Sequence, residues 1–162
     1  MHVSCVAGRP AAGGAADVSD LYERILMLKA TPIFADVATD DLRVVAHELE
    51  EEPCFAGERI FDIQEPSDRA YVIQSGSVGI SIHADPKVRE FIATLGRGEC
   101  FGEMSIFDDL PRSATAHVIE DGMLLALDKA KLRALVLRYP ELALGLLRGL
   151  SLRLREANRR SK

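Results

Sequence analysis

From Glu50 onward the chain loses its helical period and breaks into short β-rich runs. ERIFDI, RAYVIQ, SVGISIHA, REFIATL, TAHVIE and MLLALD are separated by the turn signals AG, EPSD, SG, DPK, GRG and EDG. Strands this short and this close must satisfy their backbones by pairing with one another, which points to a sandwich or barrel. Within SVGISI, Val78, Ile80 and Ile82 share one face and Ser77, Gly79 and Ser81 the other, so one side of that strand meets a core. The flanks keep a helical period. Leu21, Ile25 and Leu28 are helically spaced before Thr31-Pro32, and Thr39-Asp40-Asp41 caps a second helix carrying Leu42, Val45 and Leu49. Beyond the strands, DKAKLRALVLRYP stops at Pro140, and a last helix starts beside Glu141 with Leu142, Leu146, Leu150 and Leu154 every fourth residue. The expected fold class is α+β. It is an antiparallel, jelly-roll-like β-roll of about eight strands over 50–128, with short N-terminal helices over 18–49 and C-terminal helices over 129–160. The Ala/Gly/Pro-rich residues 1–17 read as a disordered tail.

Composition narrows the partners. The chain has 162 residues, 48% of them hydrophobic, about one domain's length, and 20 basic against 25 acidic side chains leave a net charge of −5. That balance argues against a surface that grips nucleic acid over most of its area. The basic end LRLREANRR reads as a helix terminus favoured by its dipole rather than a DNA reader, so no DNA-binding domain is expected in this chain. Charges interrupt the Leu-rich segment every few residues, so no membrane segment is expected either. Cys5, Cys54 and Cys100 are widely spaced and form no metal-like group, and no secretion signal is evident at the start; a reduced, cytoplasmic setting fits.

The segment Gly96 to Val118, GRGECFGEMSIFDDLPRSATAHV, is built like an anion site. Gly102 ends a strand, and EMSIF can make one helical turn whose free N–H groups point back toward whatever lies in front of Gly102. Pro111-Arg112-Ser113 then brings a guanidinium and a hydroxyl to the same point, a combination suited to a phosphate. Glu103 beside a phosphate is tolerable when it accepts a hydrogen bond from another part of the ligand, and a sugar hydroxyl is the natural donor. Asp108-Asp109 reads as a solvated turn rather than a catalytic pair. His47, His83 and His117 lack metal spacing and read as surface or satisfied histidines.

FGEMSIFDDLPRSATAHV resembles the phosphate-binding cassette of cyclic nucleotide-binding domains, and the resemblance extends from about Pro32 to Arg160. Phe55, Gly57, Ile60, Pro66, Asp68, Tyr71, Ile73, Gly76 and Val78 fall where that family's pattern puts such residues, as do Leu95-Gly96, Gly98 and Leu127-Asp128. The resemblance implies a non-enzymatic regulatory domain over 18–162, with the cassette at 101–115. Its binding set would be Phe101, Gly102, Glu103, Met104, Ser105, Arg112, Ser113, Ala114 and Thr115. Gly102 and the N–H groups after it would meet the phosphate with Arg112 and Ser113, Glu103 would meet the ribose 2′-hydroxyl, and Met104, Ser105 and Thr115 would complete the pocket. Cyclic AMP is the expected ligand, with cyclic GMP as the alternative and no metal. Arg148, Ser151 and Leu152 are candidates for base contacts.

The resemblance also implies a switch by movement of the C-terminal helices, and a homodimer through the last of them. The chain departs from the pattern at Gln64, and at Ser67, where the family usually has glycine, so an altered turn is expected there without direct effect on the phosphate. The competing reading is an interaction module that has lost nucleotide binding and docks a partner through its Leu-rich last helix.

Overall fold

A computed structural model describes residues 18–103 and 106–161, so the tail expected over 1–17 lies outside the described residues. The described chain forms two compact units, one of helices and one spanning Leu49–Ala130. The latter holds the β-roll. Its strands are β1 (Glu50–Cys54), β2 (Arg59–Phe61), β3 (Arg69–Ser81), β4 (Ala93–Leu95), β5 (Cys100–Phe101) and β6 (Thr115–Asp128). All the pairings are antiparallel, in the order β1-β6-β3-β4, with β2 also on β6 and β5 also on β3.

Among the described residues six strands stand where about eight were expected, because two of the expected breaks are bends inside long strands. The Ser75-Gly76 signal falls within β3 and the Asp121-Gly122 signal within β6, where the register between the strands shifts around Ser75 and Ser77. The two bends lie against each other. Gly76 sits at φ 88, and a Cβ on Gly122 would come within 2.0 Å of the Ser75 carbonyl oxygen, so only glycines let the paired backbones fold here together. One half of the long pair carries β1 and β5, the other β2 and β4. Side chains from both halves, among them Ile73, Leu124, Phe101, Val78, Val118 and Phe61, share one hydrophobic core.

β1 was not expected, since EEEPC has three acids and a proline. It forms because β6 offers it a complete partner, from Glu50 opposite Ala126 to Cys54 opposite Gly122, and an edge position tolerates Pro53. Cys54, its one buried residue, has a thiol whose pKa is pushed up to about 11 by burial.

In the helical unit, α1 (Val18–Lys29) and α2 (Thr39–Glu48) pack together, with Ile25, Leu28, Leu42, Val45 and Ala46 buried. α3 (Lys129–Arg138) starts where the Asp128 carboxylate accepts the Ala130 N–H at 2.9 Å, and α4 (Pro140–Arg160) starts with proline in its first turn. The leucine stripe of α4 divides. Leu142 and Leu146 are buried, whereas Leu154 is exposed along with Leu144, Leu147 and Leu152. Gly145 lies against Val37, and Arg148 donates to the Asp36 carbonyl at 3.3 Å.

Candidate functional site

Arg112 is the most constrained cation in the roll. It is 3% exposed, its guanidinium lies 3.8 Å above the Phe61 ring, and Nη2 donates to the Arg69 carbonyl at 2.7 Å. Nη1 makes a longer bond of 3.4 Å to the Gly102 carbonyl, while the buried Nε has no hydrogen-bond partner. No carboxylate pairs with Arg112 among the described residues. Burial pushes its pKa down, an effect offset in part by Tyr71, Asp68 and Glu65. A desolvated guanidinium held only by carbonyl dipoles and an aromatic face is costly, and a bound anion would recover that cost.

The aromatic seat is built from three strands: Phe61 of β2 and Phe101 of β5 both lie against Tyr71 of β3, with ring centroids 6.2 and 5.1 Å from it. Burial pushes the Tyr71 hydroxyl up to about 12. Phe101 thus packs into the ring cluster whose Phe61 lies under Arg112. The strand holding it ends at Gly102, whose φ of 75 turns the chain sharply back. A Cβ at Gly102 would stand 2.6 Å from Arg112 Nη1, so glycine is required both by the turn and by the nearness of the guanidinium. Glu103, half-buried, follows directly, and its Oε2 accepts a hydrogen bond from the Cys100 thiol at 3.1 Å.

The structure thus brings Gly102 and Arg112 into contact, with Phe101 and Glu103 on either side of Gly102 in the chain. Ser113 is exposed and Ala114 half-buried just after Arg112, immediately before β6. Thr115 is fully buried, and its hydroxyl accepts the Ile63 N–H at 2.9 Å, which ties it to the turn after β2. Met104 and Ser105 lie outside the described residues, so of the helical turn expected over EMSIF only Glu103, Ile106 and Phe107 are described. The Ile106 N–H donates to the Glu103 carbonyl at 3.2 Å. Arg148, Ser151 and Leu152 are on α4, in the helical unit.

The Gln64 turn is closer to the site than its sequence position suggests. Gln64 adopts φ 74, the conformation glycine favours, and its N–H donates to the Arg112 carbonyl at 2.8 Å. The Arg112 N–H in turn donates to the Glu65 carbonyl at 2.8 Å, so this turn clamps the Arg112 backbone. The altered turn expected at Gln64 is therefore corrected: the residue keeps the left-handed backbone of the glycine it replaces, held there by its bond to the Arg112 carbonyl.

His117 also departs from expectation. It is 1% exposed against Phe91, with ring centroids 5.3 Å apart, and neither ring nitrogen has a hydrogen-bond partner. Asp108 accepts the Leu110 N–H, as a turn residue does, and Asp109 pairs with Lys129 at 3.0 Å. Sequence reasoning did not identify the Phe61 seat, the Arg69 carbonyl or the Cys100 thiol, because each reaches the site only through strand pairing or a turn. The spacing of Cys100 three residues before Glu103, across a glycine, was the available signal.

Among the described residues no group of three His, Cys, Asp or Glu converges to hold a metal, and no helix is long and apolar enough to cross a membrane. Residues 53–139 match the family model described as the cyclic nucleotide-binding domain. The chain is 33% identical over 132 residues to a CRP-like cAMP-activated global transcriptional regulator of Mycobacterium tuberculosis, covering 82% of this chain and 59% of that protein. It is 35% identical to the cyclic AMP receptor protein of Thermus thermophilus, covering 81% of this chain and 61% of that one. The chain thus spans about three-fifths of the length of these curated relatives. Among solved structures, the N-terminal domain of a transcriptional regulator from Streptomyces coelicolor A3(2) superposes with a TM-score of 0.73 at 31% identity, covering 82% of this chain and 92% of that one.

Proposed function

The chain belongs to the cyclic nucleotide-binding domain family, and on that premise we propose that it is a cytoplasmic, non-enzymatic receptor that takes cyclic AMP in preference to cyclic GMP. The observation that carries this reading is Arg112, a buried guanidinium with no ion pair among the described residues and an unpartnered Nε. A cyclic phosphate would supply the missing charge through Nε and Nη1, joined by the Ser113 hydroxyl and the N–H groups following Gly102. Glu103 would accept the ribose 2′-hydroxyl, Phe101, Ala114 and Thr115 would form walls, and Met104 and Ser105 belong to the same proposed set. The choice of cyclic AMP is supported by the curated relatives named for that ligand.

The proposed output is a displacement of α3 and α4. It is supported by Lys129, the first residue of α3, whose Nζ bonds the Asp108 carbonyl and the Asp109 carboxylate. Those aspartates lie in the loop that joins Glu103 to Arg112, so a cassette that shifts on its ligand pulls on the start of α3. Such a switch requires the ligand to bind one arrangement better than the other. We further propose a homodimer through α4, supported by exposed Leu144, Leu147, Leu152 and Leu154.

Calorimetric titration of the nucleotide-stripped chain with cyclic AMP, cyclic GMP and 5′-AMP tests the receptor reading. One cyclic nucleotide is expected to bind at micromolar affinity or better, and Arg112→Ala is expected to weaken it by about 1.5–3 kcal/mol, roughly 10- to 100-fold. Absence of binding, or an Arg112→Ala affinity equal to wild type, refutes the reading and leaves the α4 surface as a docking face for another protein.

A further inference from the structure

We propose that Cys100 is a positioning residue for sugar recognition, its thiol holding the Glu103 carboxylate in the orientation that meets the ribose; this rests on the receptor reading above. Cys100 is fixed by strand pairing, since β5 places it opposite Val72 of β3. The left-handed turn at Gly102 then returns the chain so that the side chain three residues on reaches back to Cys100, and Sγ donates to Oε2 at 3.1 Å. This thiol is the one side-chain hydrogen-bond partner of the Glu103 carboxylate among the described residues.

The division of labour between the two carboxylate oxygens follows from this geometry. Oε2 receives the thiol proton, and Oε1, with both lone pairs, is the more open acceptor for a sugar hydroxyl. A glutamate side chain has three rotatable bonds, and holding it in place before the ligand arrives reduces the ordering cost of binding. Without the thiol, Glu103 would swing free on a chain that has just left the strand. The effect is specific to ligands carrying a 2′-hydroxyl, because the phosphate contacts of Arg112 do not pass through Glu103.

Two measurements test the assignment. In titrations with cyclic AMP and 2′-deoxy cyclic AMP, Cys100→Ala is expected to weaken the ribonucleotide about fivefold, the scale of a modest hydrogen bond, and to leave the deoxy analogue unchanged. Cys100→Ser keeps a donor and is expected to restore most of the ribonucleotide affinity. Equal losses for both ligands, or no rescue by serine, would overturn the assignment and reduce Cys100 to a packing residue. Independently of any ligand, the infrared S–H stretch that disappears in Cys100→Ser should move to higher frequency in Glu103→Gln, whose amide oxygen is a weaker acceptor. A band that stays in place overturns the pair. A wild-type chain that binds neither nucleotide refutes the receptor reading, and the infrared result still decides the Cys100–Glu103 contact.

Discussion

Replacing Gly102 by alanine tests the central contact of the site, and Gly98→Ala provides a matched control. Both glycines have positive φ, 75 at Gly102 and 86 at Gly98, so an alanine at either position bears the left-handed backbone penalty of about 1–2 kcal/mol. They differ in surroundings: a Cβ at Gly98 meets nothing within 4 Å, whereas one at Gly102 stands 2.6 Å from Arg112 Nη1. The guanidinium has little room to retreat, being buried over Phe61 and bonded to the Arg69 carbonyl at 2.7 Å. Displacing it forfeits a hydrogen bond of a charged group, about 1.5–3 kcal/mol, so Gly102→Ala should cost about 2.5–5 kcal/mol in all. With a domain of this size losing about 2–4 °C per kcal/mol, Gly98→Ala should lower Tm by roughly 2–8 °C and Gly102→Ala by roughly 5–20 °C. Scanning calorimetry gives the stability difference, and nucleotide titration of both variants should show about tenfold or greater weakening in Gly102→Ala alone. Equal Tm losses and equal affinities in the two variants would refute the claim that Gly102 is there to admit the Arg112 side chain.

Two further predictions concern neighbouring strain and burial. Gln64→Gly relieves a left-handed penalty of about 1–2 kcal/mol and gives back about 0.4–1 kcal/mol through the freer unfolded chain, so urea unfolding should show a net gain of about 0.8 kcal/mol. A loss on this substitution would show that the Gln64 side chain supports the Arg112 clamp. Burial, reinforced by the Arg89 and Arg59 guanidiniums and opposed by Asp62, pushes the His117 pKa down. The folded state therefore takes up its proton at lower pH than the unfolded chain, whose histidine titrates near 6.5. Stability from this group is present above that pH and declines as pH falls below it, until the folded pKa is reached. His117→Phe should flatten this part of the Tm-against-pH curve between pH 7.5 and 5, and an unchanged slope would exclude His117 as its source.

Much of the architecture was legible from the residues because it rests on local patterns. The capped start of α2 and Pro140 at the head of α4 each act over a few residues, so their elements appear where the sequence puts them. The alternation in SVGISI marks a strand but not its one-sided burial: Ser77, Gly79 and Ser81, expected on the outer face, are buried like Val78, whereas Ile82 lies beyond β3 and is exposed, because β3 is covered on both faces there. Gly102, Glu103, Arg112 and Ser113 lie in one short segment whose residue types already suit an anion, which is why the candidate site could be read from local sequence. The strand count was misjudged because a Ser-Gly or Asp-Gly pair reads alike as a turn or as a bulge. The choice was made by the partner strand, which presents its own glycine at the same point. β1 escaped notice for a related reason: nothing in EEEPC favours a strand until β6 supplies the hydrogen bonds.

What the sequence determined by itself was the order of helices and strands, the acidic balance and the chemical character of the Gly102–Ser113 segment, since propensity, charge and turn chemistry act between near neighbours. What the tertiary structure decided was how that segment becomes a site. The Phe61 ring, the Arg69 carbonyl and the Gln64-Glu65 turn are more than 40 residues from Arg112. They converge on it only because β2, β3 and β6 pair in this order. The burial of Arg112 and the lack of partners around His117 depend on which surfaces the roll covers. No local pattern encodes that, because desolvation is a property of the packed assembly rather than of any one segment.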